Sequence, residues 1–235
     1  MSDDEGDVKA KTELKVVLIG EAGVGKTSII KQFVNNEFDP EIESSISSNF
    51  TSKTIKIEGI GKAIKFDLWD TAGQERYRSL AKIFYKDSKI IIFVYEVTSK
   101  KTFKSLKEYW YEQIKVNSLP DTILVLVANK SDLYNKAQVE EKEGQEWADS
   151  IGAIFQSTSA KNNSGIEVLF QNIGKKFFNP DFDYKSEDNQ AKKNYDEKKN
   201  SNKKKNDEEE DDVNNEPKIV LTKEATKKTK GKKCC

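Results

Sequence analysis

The sequence predicts an α/β domain built on a mostly parallel sheet that helices cover on both faces. Short apolar runs alternate along the chain with stretches whose apolar residues recur at helical spacing. A glycine-rich loop also follows directly after the first apolar run, as a phosphate-binding turn follows its strand. In such sheets the carboxyl ends of the strands carry the ligand-binding loops, so motifs that follow different strands are expected to share one site.

The composition excludes several kinds of chemistry. The 235 residues carry no net formal charge, include no histidine and have their two cysteines at positions 234 and 235. A neutral chain has no overall field to attract nucleic acid, and these cysteines leave no disulfide framework or cysteine zinc site within the fold. The first residues lack an apolar signal-peptide core, and no run approaches the roughly 18 apolar residues of a membrane span. We therefore expect a protein that is made in the cytosol and spans no membrane.

The distribution of apolar residues predicts one domain with two flexible ends. We expect a disordered N-terminus over residues 1–12, a folded domain over residues 13–178 and a disordered tail over residues 179–235. The tail is dominated by Lys, Asp, Glu and Asn, and it ends with lysines ahead of the cysteine pair. Such a composition buries too little apolar surface to fold.

The first motif follows an apolar run at 14–19, which is typical of a strand buried on both faces. Gly20 begins the pattern G-x-x-x-x-G-K-[ST], which ends at Gly25-Lys26-Thr27 and leads into a helical pattern. Glycines allow backbone N–H groups to wrap a phosphate chain, and the helix start adds partial positive charge. Lys26 is expected to reach the β- and γ-phosphates and Thr27 to ligate Mg²⁺. The structural alternative is a chance glycine turn at the end of a core strand.

A second motif follows a predicted β-hairpin, whose strands at 50–58 and 62–69 flank a glycine-containing turn. Asp70 stands where the second of these strands ends and is expected to contact Mg²⁺ through a bound water. Gly73 is expected to offer its N–H to a γ-phosphate, and Gln74 to orient an attacking water. The alternative for this segment is a turn followed by a helix N-cap.

A third motif, Asn129-Lys130-Ser131-Asp132, follows the predicted strand at 122–128. The Asp132 carboxylate can accept hydrogen bonds from both the ring N–H and the exocyclic amine of guanine, a pair that adenine does not offer there. A site built on such bonds can reject the analogue by about 10⁴ to 10⁵. The stem of Lys130 would lie along the purine face, and Asn129 would join loops. NKSD alone is common in polar loops, so its specificity depends on the other motifs.

The remaining elements complete the alternation of strands and helices. After a short strand comes Ser-Ala-Lys at 159–161, where the Ala160 N–H is expected to meet the guanine carbonyl oxygen. The aromatic residues in the helix before the NKSD strand are expected to be core rather than ligand contacts. These further elements are the predicted strands at 90–97 and 153–156 and the predicted helices at 101–116 and 166–177.

Together these motifs resemble those of the Ras superfamily of small GTPases. GEAGVGKT, WDTAGQER, NKSD and SAK occur in the family's order and spacing, and the hairpin, FVYEVTSKKTF and the terminal Cys-Cys are similar to the Rab branch. The resemblance implies the small GTPase fold, a P-loop α/β fold with a six-stranded, mostly parallel sheet and five helices. It also implies that GTP or GDP binds with Mg²⁺, and that GTP orders two switch loops at about 38–50 and 72–85.

The resemblance assigns residues to the nucleotide and the metal. Phe38 matches the position that packs edge-on to guanine, and Ser45 matches a Mg²⁺-binding threonine. Gln74 is implied to be the catalytic residue, and the metal ligands are implied to be Thr27, Ser45 and Asp70. The implied nucleotide-binding residues are Glu21, Ala22, Gly23, Val24, Gly25, Lys26, Thr27, Ser28, Phe38, Ser45, Gly73, Asn129, Lys130, Asp132, Ser159, Ala160 and Lys161.

The sequence departs from the family pattern at several positions. Ser45 keeps the hydroxyl of the usual threonine without its methyl group, and Ser47 replaces a glycine, so closure of the first switch is expected to be weaker. Ala22 replaces a glycine found in Ras, and Glu96 replaces the usual aspartate. None of these changes removes Gln74. Without an arginine in the site we expect slow intrinsic hydrolysis until an activating protein supplies one.

The resemblance also implies membrane attachment and protein partners. Prenyl chains on Cys234 and Cys235 would provide two anchors, and the nearby lysines would add attraction to anionic lipid. Phe50, Trp69 and Phe84 would form an exposed triad that effectors contact; burial in the core is the alternative. The expected partners are effectors, an exchange factor, a GTPase-activating protein and a prenyl-binding GDP dissociation inhibitor, with no nucleic acid. The protein is expected to be a monomer.

The expected function is a GTP-hydrolysing molecular switch that regulates vesicle trafficking. It would act on the cytoplasmic face of endomembranes and cycle with the cytosol. A GTP-holding membrane scaffold with negligible turnover is the alternative. A P-loop ATPase or nucleotide kinase is a third possibility, which NKSD and SAK argue against, and a comparison of ADP and GDP binding would separate it from the others.

Overall fold

The computed structural model describes residues 12–41, 49–71 and 83–185. Its centre is a six-stranded sheet with the strand order β2-β3-β1-β4-β5-β6. β2 pairs antiparallel with β3, and all other neighbouring strands are parallel, so the predicted mostly parallel sheet and its hairpin are confirmed. The strands are β1 (Thr12–Ile19), β2 (Asn49–Lys56), β3 (Ala63–Asp70), β4 (Ile90–Glu96), β5 (Ile123–Asn129) and β6 (Ile154–Ser157).

Helices follow most of the strands, as the alternating pattern predicts. A π-helical segment (Leu106–Trp110) joins α2 and α3 into one continuous helix, and a 3₁₀ segment (Ser131–Lys136) follows β5. No helix in the part of the chain that the structure describes is long and apolar enough to cross a membrane. The α-helices are α1 (Lys26–Asn35), α2 (Lys100–Ser105), α3 (Tyr111–Asn117), α4 (Glu141–Ser150) and α5 (Ile166–Phe178).

Aromatic residues fill the core on both faces of the sheet. On one face Phe33 of α1 stacks on Phe170 of α5, with ring centroids 3.5 Å apart. On the other face Trp147 of α4 packs edge-on against Phe103 of α2, at 5.4 Å. Trp110 is 1% exposed, so the predicted helix aromatics are core residues. Burial of such side chains supplies most of the apolar stabilisation of the domain.

Parallel pairing brings the predicted motifs to one edge of the sheet. Asp70, at the end of β3, lies beside Leu18 of β1, and Glu96, at the end of β4, lies beside Asn129 of β5. The loops that follow these strands therefore leave the sheet on the same side.

The chain continues in ordered form beyond α5. The sequence predicts that the domain ends at residue 178, whereas the compact unit of the structure ends at Tyr184. Tyr184 is 9% exposed, and its hydroxyl oxygen accepts a hydrogen bond of 2.9 Å from Gln145 of α4. Phe182 also packs against the core, so aromatic residues of the predicted tail complete the domain. The predicted N-terminal segment 1–11 and the tail from residue 186 lie outside the described residues.

Candidate functional site

The loops at the carboxyl edge of the sheet enclose a cavity of about 440 Å³. This volume lies within the range of small-molecule binding sites. The cavity is lined by the glycine-rich loop and the start of α1, by residues 38–40, by the loop after β5 and by the loop after β6. The predicted nucleotide-binding residues that line it are Ala22, Gly23, Gly25, Lys26, Thr27, Ser28, Phe38, Asn129, Lys130, Asp132, Ala160 and Lys161.

The glycine-rich loop fits between β4 and the loop after β5 only because its glycines lack side chains. A Cβ atom on Gly20 would lie 2.2 Å from the Val94 carbonyl oxygen, and one on Gly25 would lie 2.3 Å from Asn129 Nδ2. Gly25 also has a φ of 96°, in the left-handed region that favours glycine. The loop backbone is therefore held open toward the cavity, with α1 beginning immediately after it.

Lys26 places a buried cation at this end of the cavity. Its side chain is 5% exposed, and its Nζ donates hydrogen bonds of 3.0 Å to the carbonyl oxygens of Gly20 and Glu21. Burial lowers the pKa of Lys26 to about 8, and the charges of Asp70 and Glu21 act in the opposite direction. An anion bound here would favour the charged ammonium, as a phosphate chain would.

Thr27 and Asp70 meet beside Lys26. The Thr27 hydroxyl donates a hydrogen bond of 2.6 Å to Asp70 Oδ2, although the two residues lie on different elements. A hydroxyl and a carboxylate at one point form an oxygen donor set of the kind that Mg²⁺ prefers, so these residues fit the predicted metal. Thr71 fixes the backbone just beyond, because its hydroxyl donates to the Leu18 carbonyl oxygen at 2.6 Å.

Two further residues of the cavity lining, Asp132 and Asn129, are held by residues after β6. Ser159 donates its hydroxyl to Asp132 Oδ1 at 2.6 Å, which leaves the other carboxylate oxygen for a ligand. Asn129 is 2% exposed; its Nδ2 donates to the Val24 carbonyl oxygen at 2.8 Å, and its Oδ1 accepts from the Thr158 hydroxyl at 3.1 Å. Asn129 thus joins the glycine-rich loop to the loop that follows β6.

Lys130 forms an ion pair with Glu96, at the end of β4. Both side chains are partly exposed, and Lys130 adopts a left-handed backbone conformation with a φ of 63°. The pair holds the ammonium group of Lys130 at the carboxyl edge of the sheet, while the side chain lines the cavity. The glutamate that departs from the family pattern therefore contacts the lysine of the third motif.

Four of the described residues that were predicted for the nucleotide or the metal do not line the cavity: Asp70, which contacts Thr27, and Glu21, Val24 and Ser159. Glu21 accepts a hydrogen bond from the Ser105 hydroxyl, Val24 is fully buried, and Ser159 contacts the cavity through Asp132. Ser45, Gly73, Gln74, Cys234 and Cys235 lie outside the described residues. Sequence reasoning missed four lining residues, each within two positions after a predicted site residue in the chain: Asp39, Pro40, Thr71 and Leu133.

Comparison with known proteins identifies the family. The family model described as "Ras family" matches residues 15–179, which is more than half of the chain. The chain belongs to the Ras family. Human Rab-22A is 42% identical to it over 167 residues, which cover 71% of this chain and 84% of the relative. Rab-31 of Mus musculus is 42% identical over 163 residues (69% and 82%), and RabJ of Dictyostelium discoideum is 42% identical over 164 residues (70% and 63%).

These relatives place the chain among the Rab-type small GTPases, which are GTP hydrolases that bind GTP and GDP. The sequence-based assignment of the family, the fold and the enzyme class is therefore confirmed. In this Rab-type protein, the buried Lys26 and the Ser159-bonded Asp132 line one cavity.

The aromatic triad of this Ras-family chain forms one continuous group on the hairpin and the segment after it. The ring centroids of Phe50 and Trp69 are 5.1 Å apart, and those of Trp69 and Phe84 are 5.9 Å apart. Phe50 is 56% exposed, and the other two rings are partly buried against the core. Lys15 Nζ lies 5.6 Å from the centroid of the Trp69 ring. The triad thus presents the aromatic surface of Phe50 to solvent, while Trp69 and Phe84 pack against the core.

Proposed function

We propose that this Rab-type protein is a GTP/GDP switch that regulates vesicle trafficking on the cytoplasmic face of endomembranes and cycles with the cytosol. The observation that carries the proposal is that the buried Lys26 and the carboxylate of Asp132 line the same cavity. A buried ammonium attracts the phosphate chain, and a carboxylate with one oxygen free for a ligand accepts from guanine. A nucleotide that lacks either group would satisfy only half of the site.

The nucleotide would be held along the whole cavity. Backbone N–H groups of the glycine-rich loop and the α1 start would surround the phosphates, beside Lys26. Phe38, 39% exposed and on the cavity wall, would close against guanine, and the Ala160 N–H would meet its carbonyl oxygen. Lys130 would cover the purine face while Glu96 retains its ammonium group.

Thr27, Asp70 and Ser45 would hold Mg²⁺, which neutralises charge on the phosphate oxygens when bound. The Thr27 hydroxyl now bonded to Asp70 would turn toward the metal. Gln74 would orient the attacking water, and the Gly73 N–H would donate to the γ-phosphate. Hydrolysis would be slow without an arginine from an activating protein, because the described residues around the cavity supply lysines as their only cations.

Membrane attachment would rest on the tail. Prenyl chains on Cys234 and Cys235 would supply the two anchors that stable attachment needs, and the length of the segment 186–235 would let the domain reach partners away from the bilayer. The folded domain would act as a monomer with effectors at the triad. An exchange factor, an activating protein and a prenyl-binding dissociation inhibitor would drive the cycle between membrane and cytosol.

The proposal is tested by GDP and GTP affinities with ADP as the control, followed by single-turnover GTP hydrolysis with Mg²⁺ for the wild type and Gln74→Leu. We expect tight guanine-nucleotide binding, no measurable ADP binding, and slow hydrolysis that Gln74→Leu abolishes. Tight binding with no hydrolysis, even with activating proteins added, would instead favour a GTP-holding membrane scaffold. The sequence feature that favours this second candidate is the presence of Ser45 and Ser47 where the family pattern has a threonine and a glycine.

A further inference from the structure

A buried glutamine in α1 connects two segments around the cavity without lining it. Gln32 is 6% exposed, and its terminal amide lies 3.0 Å from the Ala160 carbonyl oxygen and 3.3 Å from the Glu37 carbonyl oxygen. Carbonyl oxygens only accept hydrogen bonds, so the amide nitrogen faces both of them. In this orientation the amide oxygen lies 2.8 Å from the Asn36 side-chain amide, which must therefore turn its nitrogen toward Gln32. The amide oxygen then faces Asn163, whose Nδ2 lies 3.2 Å away.

The loop that contains Ala160 is otherwise closed mainly on itself. Ser159 and Ser164 exchange two backbone hydrogen bonds of 3.0 Å, and the Asn162 N–H donates to Ser159 Oγ at 3.2 Å. These bonds set the shape of the loop, and the side chain of Asn163 also lies 2.8 Å from that of Asn36, at the C-terminal end of α1. Gln32 is the contact that joins Ala160 itself to α1, the helix whose first residues are Lys26 and Thr27.

We propose that Gln32 is a positioning residue for guanine recognition. Gln32 holds the Ala160 carbonyl oxygen against α1, and it thereby positions the backbone N–H of the same residue to donate to the guanine carbonyl oxygen. The same rigid helix then sets the phosphate end and the base end of the site at a fixed separation. This inference rests on the proposed function, since it assigns a role in binding GDP and GTP.

Loss of the Gln32 donor leaves the buried Ala160 carbonyl oxygen and the Glu37 carbonyl oxygen without this bond, so the Ala160 loop relaxes away from α1. The weakened contact to the guanine carbonyl oxygen appears as faster release of the nucleotide, by about tenfold for one such hydrogen bond. Chemistry at the γ-phosphate is not altered, because Gln32 does not reach the phosphate end.

The test uses the full-length protein with Gln32→Met, which keeps the length of the side chain and removes its donor. Gln171→Met is the matched control. Gln171 is 8% exposed on α5, donates to the Lys56 carbonyl oxygen at 3.1 Å and accepts from the Glu58 N–H at 3.0 Å. It has the same chemistry but does not line or support the cavity. If Gln32→Met does not fold, Gln32→Asn gives the same test, because its amide is one methylene too short to reach both carbonyls.

Release rates are measured for GDP and for 6-thio-GDP, in which a poorly accepting sulfur replaces the guanine carbonyl oxygen while the two donors to Asp132 remain. Single-turnover GTP hydrolysis is measured in parallel. We expect Gln32→Met to release GDP about tenfold faster than the wild type does. The two proteins should release 6-thio-GDP at nearly the same rate as each other, and they should hydrolyse bound GTP at the same rate. Gln171→Met should change none of the three rates.

An unchanged GDP release rate in Gln32→Met would overturn the inference. So would an equal acceleration for both nucleotides, which would mean that the residue acts through Phe38 or through overall stability. If the wild-type protein itself fails to retain GDP, the proposed function is overturned, and this inference with it. Retention by the wild type together with an unaltered variant overturns the inference alone.

Discussion

At the scale of single residues, the base end of the cavity depends on a carboxylate that another side chain orients. Ser159 occupies one oxygen of Asp132 at 2.6 Å, and the other remains for the ligand. The bond restricts the rotation of the carboxylate before any nucleotide arrives, so little conformational entropy is lost on binding. In the proposed site, the oriented Asp132 carboxylate would accept from the two adjacent donors of guanine, because the oxygen that Ser159 contacts keeps a second lone pair.

Asp132→Asn tests this role. An amide offers a donor where guanine also donates, so we expect GDP affinity to fall by about a hundredfold or more. Xanthosine diphosphate, whose base has a carbonyl oxygen in place of the exocyclic amine, should bind the variant better than the wild type. Equilibrium titrations with both nucleotides measure the change. Asp149→Asn on α4 is the control, and a variant that still prefers GDP would contradict the assignment.

The buried ammonium of Lys26 makes the stability of the nucleotide-free protein depend on pH. Its pKa is about 8 in the folded protein, against an ordinary value of 10.5 in an unfolded chain. Between these values the unfolded chain binds more protons, so the stability of the nucleotide-free protein rises with pH from about 8 to about 10.5, with a slope of up to about 1.4 kcal/mol per pH unit. Below pH 8 both states are charged and the cost of burial is constant.

The measurement is urea unfolding of the nucleotide-free wild type and of Lys26→Met at several pH values between 7 and 10. We expect the variant to be the more stable protein at pH 7, and its advantage to shrink as the pH rises above 8. If the difference in unfolding free energy between the wild type and Lys26→Met stays constant over this range, Lys26 is not desolvated in the nucleotide-free protein.

At the scale of secondary-structure elements, α5 packs unusually close to the hairpin. A Cβ atom added at Gly174 would lie 2.2 Å from Ile57 Cδ1 and 3.3 Å from Ile64 Cδ1, inside the fully buried core. The glycine weakens the helix by about 1 kcal/mol relative to alanine in an exposed position. Here that weakness is offset by the contact between helix and sheet that only glycine permits.

Gly174→Ala should therefore destabilise the protein by about 1–3 kcal/mol, because overpacking outweighs the gain in helix propensity. The double variant Gly174→Ala with Ile57→Val, which lacks the Cδ1 atom, should recover part of this loss. Urea denaturation gives both values. If Gly174→Ala is more stable than the wild type, the gain in helix propensity outweighs the overpacking, and α5 can move away from Ile57 at little cost.

Most elements could be predicted because their sequence patterns are local. The runs at 90–97 and 122–128 are apolar throughout, since parallel strands are buried on both faces, and both became central strands. The π-helical turn at Leu106–Trp110 has no such pattern, because it depends on how Trp110 fits the core. The order beyond residue 178 was missed for a similar reason: the anchor of Tyr184 is Gln145, in a distant helix.

The same limit applies to the site. Contiguous motifs predicted the residues that line the cavity, because strand ends and their loops are consecutive in the chain. The residues that hold these lining residues in place lie elsewhere in the sequence. Gln32 and Ala160, or Glu96 and Lys130, meet only after folding, and glutamine and glutamate in these positions carry no motif.

At the scale of the whole molecule, the domain ends in an ordered aromatic segment from which the tail begins. Tyr184 is fixed to α4 by the hydrogen bond from Gln145, so the ordered chain continues to this residue. All proposed membrane affinity lies at the other end of that tail, in Cys234 and Cys235. The folded domain can then bind nucleotide in the same way on and off the membrane.

Substitution of the cysteines separates these two activities. One lipid chain gives only marginal, reversible attachment, and two give stable anchoring. We expect Cys234→Ser and Cys235→Ser each to move much of the protein in cells from the membrane fraction to the cytosol, and the double variant to move nearly all of it. Asn214→Ser in the same tail should have no effect, and GDP affinity should be equal in all four proteins. A double variant that remained on membranes would place the anchor in the domain instead, where the exposed Phe50 is the nearest candidate.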